Sequence, residues 1–462
     1  MKLSGLWAVL VLVSLGGGAA EAARLTAPPL LVVGDAPGIL LSDLRPGEQV
    51  RVHGLRRTMV SVTEAGQPVQ KQVIVHAWAD FTADAQGRVA LDSAVPIAGT
   101  YATADPNGLL WSGWPVGDAR LGAGRREDLS EAALAADPAL VPRTLLVRVE
   151  QAGQLGPGTA VPLTEVMERV QTTELNVERD GVSGVFAAAA GATRRPTLIL
   201  LHGSEGGSME AARRQAGRWA ERGFAVLALN YVAYQWGTPG IPGVPGTFTN
   251  LPVELLDRAR QWLAHRPEAD GARIGLVGGS KGAELALVGA ARLPWVRAVV
   301  GCVPSDVVWS GFGREAAPGE LLSSWSWAGQ PLPYIDYDRY EDVFAGRATA
   351  AEVHARSRAA ASTEAVAAAR IPVERIQAPV LLLGSGRDEV WQSLEMSRNI
   401  RAAYERAGRG PLISVREYPE AGHGICGVGT GAARADGQDG GPTAAAAGDA
   451  FRATVAFLRE KL

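Results

Sequence analysis

The chain has 462 residues, which is enough for two domains with separate cores. Hydrophobic residues make up 47% of it and charged residues 20%, a composition that excludes an intrinsically disordered protein. The formal charge of −3, without a block of like charges, gives no indication of a nucleic-acid partner or of binding to an anionic membrane. Two cysteines and six histidines without ligand spacing predict neither a disulfide scaffold nor a metal site, and no cofactor is predicted.

Residues 1–23 have the form of a signal peptide. Lys2 precedes a short apolar run, Leu6 to Leu15, and Ala20-Glu21-Ala22 has the A-x-A form of a cleavage site. The run is too short to span a bilayer comfortably, and no later stretch is long and apolar enough to do so. We therefore expect an exported protein, periplasmic or secreted, with no membrane span in its mature form. An uncleaved N-terminal anchor is the alternative.

Residues 24–165 are predicted to form an all-β domain. Three runs alternate in polarity or are rich in β-branched residues: Gln49 to Arg56, Lys71 to Phe81 and Thr144 to Glu150. Turn segments such as Asp105-Pro106-Asn107-Gly108 separate them. Short strands at this spacing are typical of a β-sandwich.

Residues 166–462 are predicted to alternate strands and helices. Continuous apolar strands such as Thr197 to Leu201 lie beside amphipathic segments such as Met209 to Arg222, a pattern typical of a parallel sheet covered on both faces. The stretch 304–375, rich in Trp, Pro and Tyr, interrupts this pattern between two sheet strands. Because ligands bind at the carboxyl ends of such strands, the stretch is predicted to be a lid. The alternative is a helical excursion that only packs on the sheet.

A nucleophile elbow is predicted at Gly278-Gly279-Ser280-Lys281-Gly282, between a predicted strand and a predicted helix. The turn is so tight that side chains at positions 278 and 282 would collide, which explains the two glycines. Ser280 then presents its hydroxyl at a helix N-terminus, where the dipole favours negative charge. An ordinary Gly-rich turn is the alternative, because glycine is common in this chain.

A serine hydroxyl needs a base to take its proton, and that base needs an acid to orient it. His423, just after the last predicted strand, is the candidate base. Asp388, on a loop after the preceding strand, is the candidate acid, and Glu389 is the alternative. The order Ser280, Asp388, His423 along the chain is that of the α/β-hydrolase fold. The alternative to a catalytic role is that Asp388 is only the N-cap of the helix that follows.

The oxyanion of such a reaction needs two backbone N–H groups. One is predicted to be that of Lys281, the residue after the nucleophile. The other is predicted to come from Ser204 or Glu205, because His202 to Gly207 is similar to the HGGG segment of lipases and His202 is expected to shape this loop. A phosphate-binding loop is excluded, since the Lys-Ser/Thr pair of a P-loop is absent.

Several motifs, in order, resemble those of the acyl-CoA thioester hydrolase/bile acid-CoA:amino acid N-acyltransferase family. Gly99-Thr100-Tyr101 followed by Asp105 to Ser112 is similar to the family's G-S-Y…D-P-M-G-L-L-W-S signature, with Asn107 in place of methionine. Five further segments are similar to family motifs: Gly278 to Leu285, Leu332 to Tyr334, Ile371 to Ile376, Asp388 to Ser393 and Ala421 to His423. The resemblance covers nearly the whole mature chain. It implies an immunoglobulin-like N-terminal domain and an α/β-hydrolase domain with a Ser/Cys-His-Asp triad.

The resemblance also implies a reaction. Family members with a cysteine nucleophile transfer bile acids to amino acids, and members with a serine hydrolyse acyl-CoA. Ser280 therefore predicts an enzyme that cleaves acyl thioesters or esters through an acyl-serine intermediate. These small-molecule substrates are its expected partners. An exported carboxylesterase or lactone hydrolase is the alternative enzyme, and a catalytically inert binding protein is the alternative of another class.

Two hypotheses concern the surroundings of the site. Cys302 and Cys426 are both predicted near the carboxyl edge of the sheet, where a disulfide would tether the His423 loop; two free buried thiols are the alternative. Seven aromatic residues of the predicted lid are candidates for an acyl pocket, although at least half are expected to be lid core: Trp309, Phe312, Trp325, Trp327, Tyr334, Tyr337 and Phe344.

Three arginines in the same stretch are candidates for binding the phosphates of CoA: Arg314, Arg339 and Arg347. They form no clustered basic motif, and the stretch carries more acidic residues than these three cations. We therefore expect measurable thioesterase activity, with equal or better kcat/KM on uncharged acyl esters of similar chain length.

Overall fold

The computed structural model describes residues 22–64, 67–165, 169–233, 240–313, 322–429 and 441–462. The chain divides into two compact units, Met1–Thr164 with Gly427–Phe451, and Glu165–Cys426 with Arg452–Leu462. The described residues of Gly427–Phe451, predicted as part of the second domain, thus group with the first unit. The predicted signal peptide lies outside the described residues, apart from its last two positions.

The first unit is built mainly of strands. Its elements in chain order are β1 (Arg24–Thr26), β2 (Leu31–Val32), β3 (Leu40–Ser42), β4 (Gln49–Glu64), β5 (Gln67–Thr82), β6 (Val89–Ala90), β7 (Ala98–Gly99), α1 (Gly108–Trp111), β8 (Trp114–Pro115), α2 (Glu131–Ala135), β9 (Thr144–Gln151), β10 (Gln154–Leu155) and β11 (Thr159–Thr164). Two 3-10 helices, Ala119–Gly124 and Glu127–Leu129, precede α2. The three strands predicted from the sequence correspond to β4, β5 and β9.

Two sheets of the first unit enclose one core. One sheet has the order β1-β3-β6, and the other β2-β11-β9-β4-β5-β7, with β10 paired to β9 and β8 paired to β5. Strands β4 and β5 pair antiparallel over their whole length. Leu41 of the first sheet and Val52 and Ala79 of the second are completely buried in the shared core. This arrangement confirms the predicted β-sandwich.

The D-P-N-G-L-L-W-S segment has a packing role in this unit. Asp105 Oδ2 accepts a hydrogen bond from Trp111 Nε1 at 2.7 Å. A Cβ on Gly108 would lie 2.3 Å from the Tyr101 ring, so the close approach of these two residues requires glycine. Both side-chain polar atoms of Asn107, which stands where the resemblance has methionine, are buried and have no partner among the described residues. An apolar side chain at this position would avoid that desolvation cost.

Two histidines are buried inside the first unit. His53 Nδ1 and His76 Nε2 are hydrogen-bonded at 2.8 Å, and His53 Nε2 bonds to Glu150 Oε2 at 3.1 Å. Because the Glu150 carboxylate accepts, His53 Nε2 carries a proton and His53 Nδ1 accepts from His76. Burial lowers the pKa of each histidine from 6.5 to about 3.

We expect the first unit to lose stability as the pH falls below 6.5. The unfolded chain takes up a proton on each histidine near that pH, whereas the folded chain does so only near pH 3, so acid favours the unfolded state across this window. The free energy of unfolding should fall by up to about 1.4 kcal/mol per pH unit for each histidine. Urea unfolding near neutral pH and at about pH 5 measures this slope.

The control for this slope is a pair of variants. His53→Gln/His76→Gln should flatten the pH dependence, because neither replacement titrates in the window. His265→Gln, which changes an exposed histidine, should leave it as in the wild type. An unaltered slope in the double variant would show that these two histidines do not cause the acid sensitivity.

The second unit alternates strands and helices. Its elements are β12 (Val170–Leu175), α3 (Val177–Asp180), β13 (Ser183–Ala189), β14 (Arg195–Leu201), α4 (Met209–Ala220), β15 (Ala225–Asn230), β16 (Thr247–Phe248), β17 (Leu251–Pro252), α5 (Leu255–Leu263), β18 (Ala269–Gly279), α6 (Lys281–Ala290), β19 (Val296–Cys302), β20 (Phe312–Gly313), β21 (Trp325–Trp327), β22 (Gln330–Pro331), α7 (Glu341–Phe344), α8 (Ala350–Ala360), α9 (Thr363–Ala369), β23 (Val380–Ser385), α10 (Ser393–Arg406) and β24 (Ile413–Tyr418). Three 3-10 helices add Val373–Arg375, Gly410–Leu412 and His423–Cys426, and the last helix, α11 (Gly441–Lys461), belongs partly to each unit.

An eight-stranded sheet forms the centre of the second unit, in the order β12-β13-β15-β14-β18-β19-β23-β24. Strands β12 and β13 are antiparallel to their neighbours, and the other six are parallel. This mostly parallel sheet between helices confirms the predicted α/β-hydrolase fold. Within the described ranges, no helix combines the length and the apolar character that crossing a membrane requires.

The carboxyl ends of the parallel strands position the predicted site residues. The loop His202 to Gly207 follows β14, and Ser280 follows β18. Asp388 lies on the loop after β23, and His423 on the loop after β24. Because parallel strands end at one edge of a sheet, residues that are far apart in sequence are gathered there.

The insertion 304–375 packs mainly into cores. Six of its seven candidate pocket aromatics lie in or against a hydrophobic cluster: Phe312, Trp325, Trp327 and Tyr334 in one, Trp309 and Tyr337 in another. Phe344, with 73% of its surface exposed, is the exception. Trp309 and Trp325 are completely buried, whereas the other four are partly buried, so the expectation that at least half of these rings are core is confirmed for two of them and stays a prediction for the rest. Arg314 lies outside the described residues.

Candidate active site

Ser280 has a left-handed backbone conformation at the turn between β18 and α6, with φ 53° and ψ −122°. This conformation is costly for a residue with a side chain and persists only where its surroundings hold it. The Ser280 N–H donates to the Cys302 carbonyl at 2.9 Å. A Cβ on Gly278 would lie 2.0 Å from the Gly282 carbonyl oxygen, and a Cβ on Gly282 would lie 2.2 Å from that of Leu201. Both glycines are therefore required by the turn.

His423 and Asp388 form a hydrogen-bonded pair, with 2.7 Å between Nδ1 and Oδ1. The same Asp388 oxygen accepts the N–H groups of Val390 and Trp391 at 2.9 and 3.1 Å. The Asp388 side chain is 1% exposed, and its Oδ2 is buried without a partner among the described residues. Because the carboxylate accepts, His423 Nδ1 carries a proton, and in the neutral ring this leaves Nε2 as the acceptor that a general base requires.

Glu389, the alternative acid, binds the backbone of His423 and not its ring. Its Oε2 accepts the His423 N–H at 2.9 Å. Asp388 is thus the carboxylate against the imidazole. The interpretation of Asp388 as an N-cap of the following helix is wrong, since α10 begins at Ser393 with Gln392 at its N-cap.

Cys302 and Cys426 form a disulfide, with 5.8 Å between their Cα atoms. Cys302 ends β19, and Cys426 ends the 3-10 helix that begins at His423. A Cβ on Gly279 would lie 3.2 Å from Cys426 Sγ, so the disulfide also contacts the backbone next to Ser280. The hypothesis that this bond tethers the His423 loop is confirmed.

Replacing both cysteines by alanine is expected to lower the free energy of unfolding by about 4–5 kcal/mol, since the bond joins residues 124 positions apart and restricts the unfolded chain. Urea unfolding of Cys302→Ala/Cys426→Ala against the wild type measures this loss. Thiol titration of the denatured, unreduced wild type is the control and should find no free thiol. Two free thiols per chain would refute the pairing.

The loop His202 to Gly207 lies beside Ser280. A Cβ on Gly203 would lie 3.2 Å from Ser280 Cβ. The carbonyl oxygen of Gly203 accepts from His202 Nδ1 at 2.8 Å and from the Gly206 N–H at 3.3 Å. Because C=O and N–H point in opposite directions across a trans peptide, these bonds set the direction of the next N–H, that of Ser204.

The predicted oxyanion donors have no other role in the described structure. The backbone N–H groups of Ser204, Glu205 and Lys281 donate to none of the described residues. His202, whose ring stacks on Tyr231 with 4.0 Å between centroids, shapes the loop as expected. Burial lowers the pKa of His202, which favours the neutral ring that donates through Nδ1.

A buried ion pair behind the nucleophile was not foreseen from the sequence. Lys281 Nζ lies 2.8 Å from Glu284 Oε2, and the two side chains are 2% and 0% exposed. The other Glu284 oxygen accepts from Trp325 Nε1 at 2.7 Å and from the Trp309 N–H at 3.2 Å. Burial raises the pKa of Glu284 and lowers that of Lys281, each opposed by the partner's charge. The pair connects α6 to the insertion. In the sequence it could have been found from the two opposite charges, which stand three positions apart on one helix.

The structure brings some of the predicted site residues together and leaves one contact open. Asp388 and His423 are joined, and Ser280 lies against the Gly203 loop. Among the described residues, the Ser280 hydroxyl makes no hydrogen bond with His423. Nor do the described His, Cys, Asp and Glu side chains form a group of three suited to a metal ion.

Comparisons with known proteins match both parts of the chain. The family model described as acyl-CoA thioester hydrolase/BAAT N-terminal region matches residues 38–141, and that described as BAAT/acyl-CoA thioester hydrolase C terminal matches residues 251–427. The chain is 26% identical to the mitochondrial acyl-coenzyme A thioesterase 2 of Homo sapiens, over 82% of this chain and 71% of that protein. It is 27% identical to acyl-coenzyme A thioesterase 1 of Homo sapiens, over 82% of each. A putative dienelactone hydrolase structure from Klebsiella pneumoniae is similar at 16% identity and a TM-score of 0.41, over 63% of this chain and 99% of that chain.

Proposed function

Because the chain belongs to the acyl-CoA thioester hydrolase/BAAT family, we propose that it is a serine hydrolase that cleaves acyl esters and thioesters through an acyl-serine intermediate. Ser280 is the nucleophile, His423 the base and Asp388 the acid. The observation that carries the proposal is the 2.7 Å hydrogen bond between His423 Nδ1 and Asp388 Oδ1, which leaves Nε2 of His423 ready to accept a proton. The relatives named as acyl-coenzyme A thioesterases support the same class of reaction.

In the first half of the reaction, His423 Nε2 takes the Ser280 proton as Oγ attacks the carbonyl carbon. The oxyanion that forms accepts hydrogen bonds from the N–H of Lys281, at the first position of α6, and from that of Ser204 or Glu205. The imidazolium is stabilised by Asp388 and gives its proton to the departing thiolate or alkoxide as the carbonyl re-forms.

In the second half, a water molecule attacks the acyl-serine. His423 Nε2 accepts one water proton, the same N–H groups bind the second oxyanion, and the proton returns to Ser280 Oγ as the acid product leaves. Each half begins and ends with a neutral His423. The disulfide from Cys426 to Cys302 joins the loop of this histidine to β19.

A fluorophosphonate probe tests whether Ser280 is reactive. We expect stoichiometric labelling of the wild-type chain, mapped by mass spectrometry to the peptide that contains Ser280, and no labelling of Ser280→Ala. An inert binding protein of the same fold would not react, so an unlabelled, correctly folded wild type would reject the enzyme in favour of that alternative.

The preference between substrates follows from the charges of the insertion. Arg347 lies 2.6 Å from Asp342, and Arg339 lies 3.5 and 3.9 Å from Asp338 and Asp342, so both cations already face carboxylates. Neither is free to bind the phosphates of CoA without losing these contacts. We therefore expect kcat/KM on an uncharged acyl ester to equal or exceed that on the acyl-CoA of the same chain length.

The measurement is a comparison of acyl-CoAs with esters that carry the same acyl group. Arg339→Ala/Arg347→Ala is the matched variant, and we expect it to leave the ratio of the two kcat/KM values unchanged. A strong preference for acyl-CoA that this double variant abolishes would restore acyl-CoA as the main substrate class.

We further propose that the enzyme is exported. The form of residues 1–23 supports this, and so does the disulfide, because such bonds persist in oxidising compartments. Mass spectrometry of the mature chain from the extracytoplasmic fraction should find an N-terminus near residue 24. A full-length chain confined to the cytoplasm would contradict export.

A further inference from the structure

A carboxylate lies beside the proposed nucleophile. The Gly203 N–H donates to Glu205 Oε1 at 2.9 Å, which holds the Glu205 side chain against its own loop. A Cβ on Gly203 would lie 2.5 Å from Glu205 Oε2 and 3.2 Å from Ser280 Cβ. The Glu205 carboxylate and the Ser280 side chain are therefore separated by little more than the space of one methyl group. Glu205 is exposed, so its carboxylate is open to a ligand.

No cation among the described residues offsets this charge. Glu205 Oε1 is bound by a neutral N–H, and Oε2 accepts no hydrogen bond within the described ranges. The ammonium group that is closest to Ser280 in sequence, that of Lys281, is buried and paired with Glu284. Glu389, also exposed, adds a second carboxylate on the side of the His423 backbone. Two exposed carboxylates, those of Glu205 and Glu389, are thus held by the Gly203 loop and by the His423 backbone.

We propose that Glu205 is a specificity-determining residue that selects esters with a positive charge a few atoms from the scissile carbonyl, such as esters of quaternary ammonium alcohols. The inference rests on the proposed function, because it requires the acyl group to be attacked by Ser280. A carboxylate within several ångströms of such a cation attracts it in the transition state, and the same carboxylate repels an anionic group at that position. The phosphates of CoA lie much farther along the leaving group, where salt screens this interaction.

A matched series of esters in the full-length chain tests the proposal. With one short acyl chain, the choline ester carries a cation, the 3,3-dimethylbutyl ester is its uncharged isostere, and the 3-carboxypropyl ester carries an anion. We expect kcat/KM at low ionic strength to be about tenfold higher for the choline ester than for its isostere, and lower for the anionic ester.

Glu205→Gln isolates the charge. Its amide oxygen still accepts the Gly203 N–H, so the loop is retained while the negative charge is lost. The ratio of choline to 3,3-dimethylbutyl ester should then fall to about one. Glu405→Gln, which removes an exposed carboxylate on α10 and changes the net charge equally, should leave the ratio as in the wild type.

Salt provides a second measurement that needs no variant. The choline preference of the wild type should weaken as ionic strength rises, because an exposed carboxylate is screened. The inference would be overturned if the ratio of choline to 3,3-dimethylbutyl ester were equal in wild type and Glu205→Gln, or if it were independent of salt. The proposed function would still stand in that case, provided that the wild type hydrolyses the neutral ester and Ser280→Ala does not. If the wild type hydrolysed none of these esters, the inference would fail, and labelling of Ser280 by the fluorophosphonate probe would decide the proposed function separately.

Discussion

Ser280→Ala is expected to lower kcat by about 10⁵- to 10⁶-fold on any ester that the wild type cleaves, while the free energy of unfolding stays the same or rises. The loss is large because the acyl-serine cannot form and His423 has no proton to take. The free energy of unfolding should not fall, because position 280 has a left-handed conformation at φ 53° that is equally unfavourable for serine and for alanine. Initial rates and urea unfolding measure the two quantities.

The double variant Ser280→Ala/His423→Ala is the control for the role of the pair. Nucleophile and base act in one step, so the double variant should be no slower than Ser280→Ala alone. Additive losses would mean that His423 acts independently of Ser280. A Ser280→Ala variant with substantial remaining turnover would place the nucleophile elsewhere in the chain.

Asp388→Asn is expected to lower kcat by about 10³- to 10⁴-fold. The structure suggests two reasons. The amide has no charge to stabilise the His423 imidazolium, and one side-chain position, that of Oδ2, is buried without a partner among the described residues, so an NH₂ group there would find no acceptor. Single-turnover kinetics on an activated ester would measure the loss in the acylation step.

Glu389→Gln is the matched variant, since it changes the neighbouring carboxylate. The amide oxygen of the new side chain would still accept the His423 N–H, so kcat should change by less than about fivefold. A nearly silent Asp388→Asn together with a severe Glu389→Gln would reverse the assignment of the acid.

The predictions that succeeded depend on short-range rules. Core strands such as β14 end in a continuous apolar run, Leu198 to Leu201, and the glycines of the elbow stand where a Cβ would meet backbone atoms at 2.0 and 2.2 Å. The hairpin β12–β13 was missed. Four of the six β12 residues are exposed, so its pattern has no apolar face to detect.

The insertion 304–375 shows a limit of composition. Its aromatic residues indicated both a pocket and a core, and although at least half were expected to be core, the sequence offered no means to tell which ones. In the folded chain, Glu284 accepts hydrogen bonds from Trp309 and Trp325, and these rings are completely buried. A buried carboxylate needs such donors, so this contact draws the insertion onto α6.

The sequence alone was enough to predict the fold class and the position of the elbow. It was also enough to predict the chain order of Ser280, Asp388 and His423. Each follows from local periodicity, from the conformations open to glycine, or from the succession of strands, and none depends on how distant loops meet.

Three-dimensional contacts were needed for the rest. They distinguished Asp388 from Glu389 as the partner of the imidazole, joined Cys302 to Cys426 and placed the Glu205 carboxylate and Ser280 both next to Gly203. These facts concern single atoms on loops that are far apart along the chain. Loop geometry leaves no periodic signal in a sequence, because loop side chains are positioned by the sheet edge and its hydrogen bonds and not by a repeating apolar face.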